Sequence, residues 1–192
     1  MIIREVGLLD VPQLLAIYAP FVTDTVVTFE EKVPSVTEFT ERVENYRQHF
    51  PWLIAEADGV IAGYAYVSKY RERIAYQWVA ECSIYMHPNY KRTGIAQKLY
   101  SALFDILKLQ GMYRVYAVIG IPHEESTRFH EKMGFQYFAT YQHTGYKLGQ
   151  WRDTGWYEYI LKHPDENPRP PISYTQVNRE AVEEIFARYS KH

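Results

Sequence analysis

A short basic turn between a β-rich run and an apolar helix pattern carries the residue types best suited to binding phosphate. A run that ends with Tyr85 and Met86 is followed by Lys91, Arg92 and Gly94, and a helix pattern begins there. A helix N-terminus offers unpaired backbone N–H groups and the positive end of the helix dipole, which favour phosphate oxygens. Neither a Walker loop nor the three spaced glycines of a dinucleotide fingerprint is present. The turn therefore predicts a phosphate site of another class.

The same turn resembles the signature of a known family. Residues 91–96, Lys-Arg-Thr-Gly-Ile-Ala, are similar to the Gln/Arg-x-x-Gly-x-Gly/Ala motif with which the GNAT superfamily of N-acetyltransferases holds the pyrophosphate of acetyl-coenzyme A. Further segments resemble the phosphinothricin N-acetyltransferase branch of that superfamily, namely residues 50–56, 75–85, 117–120, 130–131 and 149–155. The resemblance covers roughly residues 2–162 and does not include the C-terminal helix pattern.

The resemblance implies direct attack of an amine on the thioester of acetyl-coenzyme A. It implies that Glu81 is the general base, since a protonated amine is not a nucleophile and a carboxylate facing the splay in the sheet can take its proton. The end of the strand that carries Glu81, at Ile84 to Met86, would add backbone contacts to the pantetheine arm. The amide N–H near Ile84 would polarise the thioester carbonyl. The implied cofactor-binding residues are Ile84, Tyr85, Met86, Lys91, Arg92, Thr93, Gly94, Ile95, Ala96, Gln97 and His123.

Three positions depart from the superfamily pattern. Lys91 replaces Gln or Arg, which keeps a donor but loses planar bidentate geometry. His123 stands where many members have a cofactor-binding Asn, and His130 stands where many have a Tyr that acts as general acid. The phosphinothricin branch also has histidine at the second position. We expect His130 to be catalytic, either protonating the leaving thiolate or binding substrate, because imidazole titrates near neutral pH.

Two segments are implied to bind the acceptor substrate. An arginine fork suits an amino-acid carboxylate or a phosphinate, because two parallel N–H bonds fix its orientation. The resemblance therefore predicts a small acidic amino acid or analogue, of the phosphinothricin or methionine sulfoximine type, as the amine. The implied residues are Phe29 and Glu30 in the first long loop, and Arg71, Arg73, Ile74, Ala75 and Tyr76 before the catalytic strand.

Other interpretations of these residues stay open. The same fold could acetylate a protein N-terminus or lysine, or bind acyl-coenzyme A as a sensor without turnover. A lone Glu81 in a strand is often a solvated edge residue, and the Lys91-Arg92 pair could be a solvated turn. Cys82 points to the opposite face from Glu81 and is more often a core residue than a nucleophile. The histidines are too scattered for a zinc site, so we predict no metal.

The elements that must position these residues alternate between strand and helix patterns. The order predicts an α/β (α+β) fold with a mixed, mostly antiparallel central sheet flanked by helices and, from the resemblance, a splayed central strand pair. Asp58-Gly59 predicts a tight hairpin, and the glycine-punctuated aromatic stretch 145–153 predicts a loop between the last two strands. We predict an acetyltransferase domain at 1–163, a Pro-rich linker at 164–177, and an amphipathic helix at 178–192 that packs in cis, across a dimer, or on nothing stable.

Composition excludes several other classes. The 192 residues are 47% hydrophobic and 23% charged, which is typical of a folded globular chain. A net charge of −2 argues against nucleic-acid binding, and no apolar run or leader pattern predicts a membrane span or export. The lone Cys82 predicts a reducing, cytoplasmic location. Together with the family resemblance, the aromatic stretch 145–157 suggests a homodimer.

Overall fold

The computed structural model describes residues 1–190, so Lys191 and His192 at the end of the predicted helix 178–192 lie outside the described residues. Within 1–190, seven strands form one sheet: β1 Ile2–Glu5, β2 Trp52–Ala57, β3 Val60–Lys69, β4 Val79–Met86, β5 Arg114–Ile121, β6 Gln136–Lys147 and β7 Gln150–Ile160. Five α-helices in the same range flank the sheet: α1 Val11–Asp24, α2 Val36–Arg47, α3 Ile95–Gln110, α4 Glu124–Lys132 and α5 Arg179–Ser190.

The sheet is mostly antiparallel and splays at its centre. Its order is β1-β2-β3-β4-β5-β7-β6, and β4 and β5 are its parallel pair. These two strands pair only where Val79 to Glu81 meet Arg114 to Tyr116, and beyond that point they diverge. Both keep their outer partners, β3 and β7, so the gap lies inside the sheet. The predicted mixed sheet with a splayed central pair is confirmed.

Each face of the sheet has its own hydrophobic core. One core packs under α3 and includes Leu99 and Leu103, and the other packs under α1 and α2 and includes Leu14 and Phe39. Side chains alternate along β4 between these cores, so Cys82 belongs to the α3 side. Tyr85 belongs to the α1/α2 side. By the same alternation, Glu81 and Ser83 lie on the α1/α2 side.

Two local devices act through neighbours in the chain, and the second confirms the tight hairpin predicted at Asp58-Gly59. Ser35 caps α2 in a reciprocal capping box with Glu38, whose backbone N–H donates to the Ser35 hydroxyl at 3.2 Å. Asp58 and Gly59 have φ of 54° and 76° and join β2 to β3 in a tight hairpin, since both accept the left-handed conformation. These local devices fix the ends of elements that flank the site.

The predicted loop at 145–153 is wrong. Strand β6 continues to Lys147 and β7 begins at Gln150, with Leu148 and Gly149 as a two-residue turn at φ of 51° and 75°. Gly145 is a strand residue, and the loop was predicted there only because glycine is common in loops. A Cβ there would come within 2.4 Å of the Phe29 ring, so the glycine provides room for that ring.

The C-terminal helix packs on the same chain. Val182, Ile185 and Phe186 of α5 join the core under α3. Ser190 accepts a hydrogen bond from the backbone N–H of Ile3 at 2.9 Å, and the Tyr189 hydroxyl donates to Asp105 at 2.8 Å. In the described part of the chain, no helix combines the length and apolar character needed to cross a membrane.

Candidate active site

A cleft of about 820 Å³ opens between the N-terminus of α3 and one face of α4. It collects most of the residues implied to bind the cofactor, although they come from three separate elements. The predicted residues that line it are Ile84, Met86, Lys91, Arg92, Thr93, Gly94, Ala96, Gln97, His123 and His130. The cleft therefore brings together the basic turn, the end of β4 and both histidines.

The basic turn keeps its backbone open toward the cleft. Arg92 and Gly94 have φ of 61° and 84°, and within residues 1–190 no atom beyond the adjacent backbone lies within 4 Å of where a Cβ on Gly94 would be. The Thr93 hydroxyl donates to the Tyr90 carbonyl at 2.7 Å, which stabilises the turn. The first N–H groups of the 16-residue helix α3 follow directly, so the turn fits a pyrophosphate.

Lys91 already has an anionic partner. Its ammonium lies 3.4 Å from the Glu125 carboxylate of α4, and both residues line the cleft. A bound phosphate would compete with this exposed ion pair, which is a weak interaction in water. The lysine is therefore available to a phosphate only after it exchanges partners.

Two implied cofactor residues contribute backbone rather than side chain. Ile95 is 8% exposed, and its side chain lies in the core under α3. The Tyr85 ring packs edge-on to Tyr18, with ring centroids 4.9 Å apart, in the other core. Only their main-chain groups are placed to face a ligand between β4 and α3.

A narrow slot of about 70 Å³ lies between the diverging strands. Cys82 and Ala117 line it from the α3 side of the sheet, and Ser83 and Val118 line it from the other side. The slot shares Ile84, His123 and His130 with the cleft. It therefore reaches through the sheet from the cleft toward the face that carries Glu81.

Glu81 stands at the point where the strands part. It is opposite Tyr116 in the last pair of β4 with β5, and opposite Ser68 on β3. The carboxylate is half-buried and has no hydrogen-bond or ion-pair partner in residues 1–190. Burial without a partner raises the pKa of Glu81 above its usual value. A raised pKa makes a carboxylate a stronger base, as proton transfer from an amine requires.

A cluster of aromatic side chains lies on the face of the sheet that carries Glu81. The Tyr70 ring lies 4.9 Å from Tyr116 and 6.2 Å from Trp156, centroid to centroid. The Arg71 guanidinium lies over the Tyr70 and Tyr76 rings, 5.0 and 5.7 Å from their centroids. Because Tyr116 is the direct neighbour of Glu81, these contacts place Arg71 and Tyr76 on the same side of the site as the carboxylate.

The other implied substrate residues are placed differently. The Glu30 carboxylate pairs with the Arg42 guanidinium at 2.7 Å, so it is not free for a ligand. Phe29 packs against Gly145 and Gly120, beside the diverging end of β5. Arg73, Ile74 and Ala75 lie in the exposed segment between β3 and β4, and within residues 1–190 they make no hydrogen bond or ion pair with Glu81. The structure therefore brings together only part of the predicted set.

His130 is buried and neutral near pH 7. Burial lowers its pKa from 6.5 to about 4. Its Nδ1 lies 2.8 Å from the Ser126 carbonyl, which makes Nδ1 the donor, and its Nε2 lies 3.2 Å from the Tyr100 hydroxyl. Tyr100 also contacts Cys82, whose thiol pKa burial raises to about 12. Both ring nitrogens of His130 are thus occupied by protein groups.

His123 caps α4. Its Nδ1 accepts a hydrogen bond from the Ser126 backbone N–H at 3.0 Å, which leaves Nε2 for a ligand in the cleft. Helix α4 begins at Glu124, directly after this cap.

Sequence reasoning missed several lining residues. Arg128 and Lys132 lie four residues apart on α4 and line the cleft, adding positive charge opposite the basic turn. Their i, i+4 spacing after a buried strand was the available signal. The aromatic neighbours Tyr70, Tyr116 and Trp156 had no such signal, since they lie on three different strands or loops. Among residues 1–190, no cluster of three or more His, Cys, Asp or Glu side chains could hold a metal ion.

Comparison with known proteins supports the same family. Residues 3–156 match the family model described as Acetyltransferase (GNAT) domain. The chain is 33% identical over 175 residues to the phosphinothricin N-acetyltransferase of Streptomyces viridochromogenes, covering 91% of this chain and 95% of that protein. It is 31% identical over 121 residues to the L-methionine sulfoximine/L-methionine sulfone acetyltransferase of Salmonella typhimurium, covering 63% of this chain and 69% of that protein.

A solved structure has the same fold. The phosphinothricin acetyltransferase of Sinorhizobium meliloti in complex with AcCoA superposes with a TM-score of 0.82 at 32% identity. The superposition covers 90% of this chain and 97% of that one. The family model matches most of the chain, the chain covers almost all of one relative, and the architecture is shared with a solved structure. The chain therefore belongs to the GNAT family of acetyltransferases.

Proposed function

We propose that this protein transfers the acetyl group of acetyl-coenzyme A to the α-amine of a small amino acid or analogue, of the phosphinothricin or methionine sulfoximine type. The observation that carries the proposal is the position of Glu81, an unpartnered half-buried carboxylate where β4 and β5 part. The names of two relatives support this class of amine substrate. The acetyl-coenzyme A complex of a structural neighbour supports the acetyl donor.

The cleft residues would hold the donor. Acetyl-coenzyme A supplies an activated acyl group and a thiolate leaving group. The basic turn and the α3 N-terminus would hold the pyrophosphate, with Lys91, Arg92, Arg128 and Lys132 around it. Backbone groups of β4 beyond Glu81 lack a partner on the β5 side and would pair with the pantetheine arm. The amide N–H near Ile84 stays our candidate for polarising the thioester carbonyl.

Glu81 would prepare the amine. It takes a proton from the substrate ammonium, directly or through water, on the face opposite the cleft. The slot between the strands would bring the acetyl group to that face. A neutral amine then attacks the thioester without a covalent enzyme intermediate. Arg71, held over two tyrosine rings, would bind the substrate carboxylate.

His130 would act in its neutral form. With a pKa of about 4, the imidazole is not protonated to imidazolium at neutral pH. We therefore assign His130 to the lining of the slot, where it would position the acyl group, and not to the role of proton donor to the thiolate. Attack by the neutral amine leaves the nitrogen of the tetrahedral adduct protonated, and this second proton can pass to the leaving thiolate instead.

The test is thiol release from acetyl-coenzyme A with phosphinothricin, methionine sulfoximine, methionine sulfone and aspartate, and with a lysine peptide as control. We expect saturable release with a small analogue and little with the peptide. Glu81→Gln should lower kcat about 100-fold or more, as expected for loss of a general base, and leave coenzyme A affinity unchanged. Release with the peptide alone would overturn the substrate class, and full turnover by Glu81→Gln would overturn the base.

We also propose that two copies associate through the β6–β7 hairpin. This hairpin exposes large aromatic side chains at the sheet edge, including Tyr137, Phe138, Tyr146 and Trp151, the last 61% exposed. Trp151→Asp should shift the mass measured by light scattering at micromolar concentration from dimer to monomer. A monomeric wild-type protein would contradict the proposal.

The domain boundaries and the location stay proposals as well. We propose residues 1–163 as the acetyltransferase domain and 164–177 as a linker to the C-terminal helix, and a cytoplasmic location consistent with the buried free thiol of Cys82.

A further inference from the structure

A second cavity, of about 360 Å³, lies away from the cleft where the C-terminal segment meets the end of α2. Arg47 and Gln48 line it from α2 and the residue after it, and Thr175, Val177 and Arg179 line it from the C-terminal segment. The last three lie beyond the residues 3–156 that match the family. This cavity is therefore built partly outside the acetyltransferase core.

We propose that this cavity binds a small organic monocarboxylate, with its carboxylate at Arg47 and its apolar body against the valine side chains of the cavity. The proposal concerns a site separate from the acetyl-transfer site and does not rest on the proposed function.

The polar groups of the cavity lack partners. Arg47 is half-buried and has no hydrogen-bond or ion-pair partner in residues 1–190, and the Gln48 amide has none there either. Trp52, which also lines the cavity, is 1% exposed, and its indole N–H is buried without a hydrogen-bond partner in the described chain. A buried N–H without a partner is costly and uncommon in native proteins. The Trp52 N–H has no accessible surface, so the donors that a ligand in the cavity can reach are the Arg47 guanidinium and the exposed Gln48 amide.

The acidic residue of the cavity wall is already neutralised. The Glu5 carboxylate accepts a hydrogen bond from the Tyr174 hydroxyl and pairs with the Arg179 guanidinium. Arg179 also pairs with Glu183 at 2.6 Å. Glu5 and Arg179 are thus both paired, and Arg47 is the charged residue of the cavity lining that has no partner in residues 1–190.

The remaining wall is apolar and sets the size of the ligand. Val6, Val177 and Val182 line it together with part of Trp52. At about 30 Å³ for each water, the volume far exceeds that of an inorganic anion. A carboxylate on a short hydrocarbon chain matches both the guanidinium and the valines.

Isothermal titration calorimetry of the full chain with hexanoate tests the proposal, with coenzyme A present at saturation so that the basic turn is occupied. We expect saturable binding of hexanoate at one site per chain. The neutral hexanamide should bind at least about tenfold more weakly than hexanoate, because it lacks the charge-assisted hydrogen bond. Inorganic phosphate should bind more weakly than hexanoate. Tighter binding of phosphate, or no saturable binding of hexanoate, would overturn the assignment.

Two variants locate the site. Arg47→Gln should weaken hexanoate binding about tenfold or more, whereas Arg169→Gln, an exposed arginine outside the cavity, should leave it unchanged. Thr175→Trp should abolish binding by filling the cavity from its exposed side, without altering Arg47. A thermal melt shows that each variant is folded. Wild-type affinity in both Arg47→Gln and Thr175→Trp would place the ligand elsewhere.

Discussion

Residues at the mouth of the cleft show how a predicted ligand-binding side chain can be occupied before any ligand arrives. Lys91 is where a phosphate-binding residue was expected, but it pairs with Glu125 across the cleft. Arg128, four residues after Glu124 on α4, pairs with that glutamate at 2.7 Å. The positive charge of the cleft is therefore partly masked by its own carboxylates, which sequence inspection of the turn alone does not reveal.

Glu125→Gln should tighten acetyl-coenzyme A binding. The change frees Lys91 and removes a negative charge near the expected phosphate position, so the KM for acetyl-coenzyme A should fall about two- to fivefold at low salt, the scale of an exposed ion pair. The effect should shrink as salt is added. Steady-state kinetics at two ionic strengths measure it, with Glu184→Gln on α5 as the control. A rise in KM would show that Glu125 helps to bind the donor.

Because His130 is buried, the free energy of unfolding should decrease as the pH is lowered into the acid range. Unfolded, this imidazole titrates near pH 6.5, whereas the fold lowers its pKa to about 4. The unfolded chain therefore binds a proton at a higher pH than the folded chain does. The free energy of unfolding should be unaffected above about pH 6.5 and should decline toward pH 4, by about 3 kcal/mol in total.

Urea unfolding of the wild type and of His130→Gln between pH 4 and 7 measures this contribution. The difference between the two proteins isolates His130 from the carboxylates that titrate in the same range. His163→Gln, at an exposed histidine, should keep the wild-type pH dependence. Parallel pH dependences for the wild type and His130→Gln would show that His130 does not lose its proton affinity on folding.

At the scale of elements, β6 holds the loop between α1 and α2 over the splayed strands. Lys147 of β6 is 4% exposed, and its ammonium donates to the Thr28 carbonyl at 2.6 Å and lies 3.5 Å from the Phe21 carbonyl. Gly145, on the same strand, leaves room for the Phe29 ring. The position of the implied substrate residue Phe29 therefore depends on a strand more than 100 residues further along the chain.

Lys147→Met should raise the KM for the amine about tenfold, because it removes a charged donor and leaves the Thr28 carbonyl unpaired. The KM for acetyl-coenzyme A should change little, since Lys147 does not line the cleft. Lys162→Met, at an exposed lysine, is the matched control. Gly145→Ala displaces the Phe29 ring without removing a polar group and should affect the amine KM in the same direction. An unchanged amine KM in both variants would contradict this role.

At the scale of the whole molecule, the C-terminal helix belongs to the main core. Phe186 is 5% exposed and packs in the same cluster as Leu103 of α3 and Ile3 of β1. Gln110 ties the preceding segment to the body through donor bonds to the His49 and Ile172 carbonyls at 2.8 and 2.9 Å. The molecule should therefore unfold in one transition rather than lose α5 first.

Phe186→Ala should lower the free energy of unfolding by about 3–5 kcal/mol, the cost of removing a buried aromatic side chain. Urea unfolding followed by circular dichroism and by tryptophan fluorescence should give coincident curves. Glu184→Ala, at an exposed position on the same helix, should change stability by less than about 0.5 kcal/mol. A loss below about 1 kcal/mol, or a separate early transition in circular dichroism alone, would show that α5 folds independently.

The sequence by itself determined the local devices and the cofactor turn of this protein. Ser35 with Glu38, Asp58-Gly59, and the turn from Lys91 to Ala96 each act through neighbours in the chain, so their residue types suffice to predict them. The alternation of Glu81 and Cys82 also follows from strand geometry alone. The family resemblance extended these local signals to a mixed sheet with a splayed centre, which the strand pairing confirms.

Only the tertiary structure decided which of those residues meet. The pairing of Glu30 with Arg42, the contact of Lys147 with Thr28, and the ring of aromatics beside Glu81 join positions that are far apart in sequence. The stretch at 145–153 is strand because β6 and β7 pair there and β7 also pairs with β5, a partner more than 30 residues away that no local pattern shows. Which distant side chains meet depends on how the helices and strands pack against one another. The free energy of that packing is distributed over many contacts that cannot be identified from a single sequence.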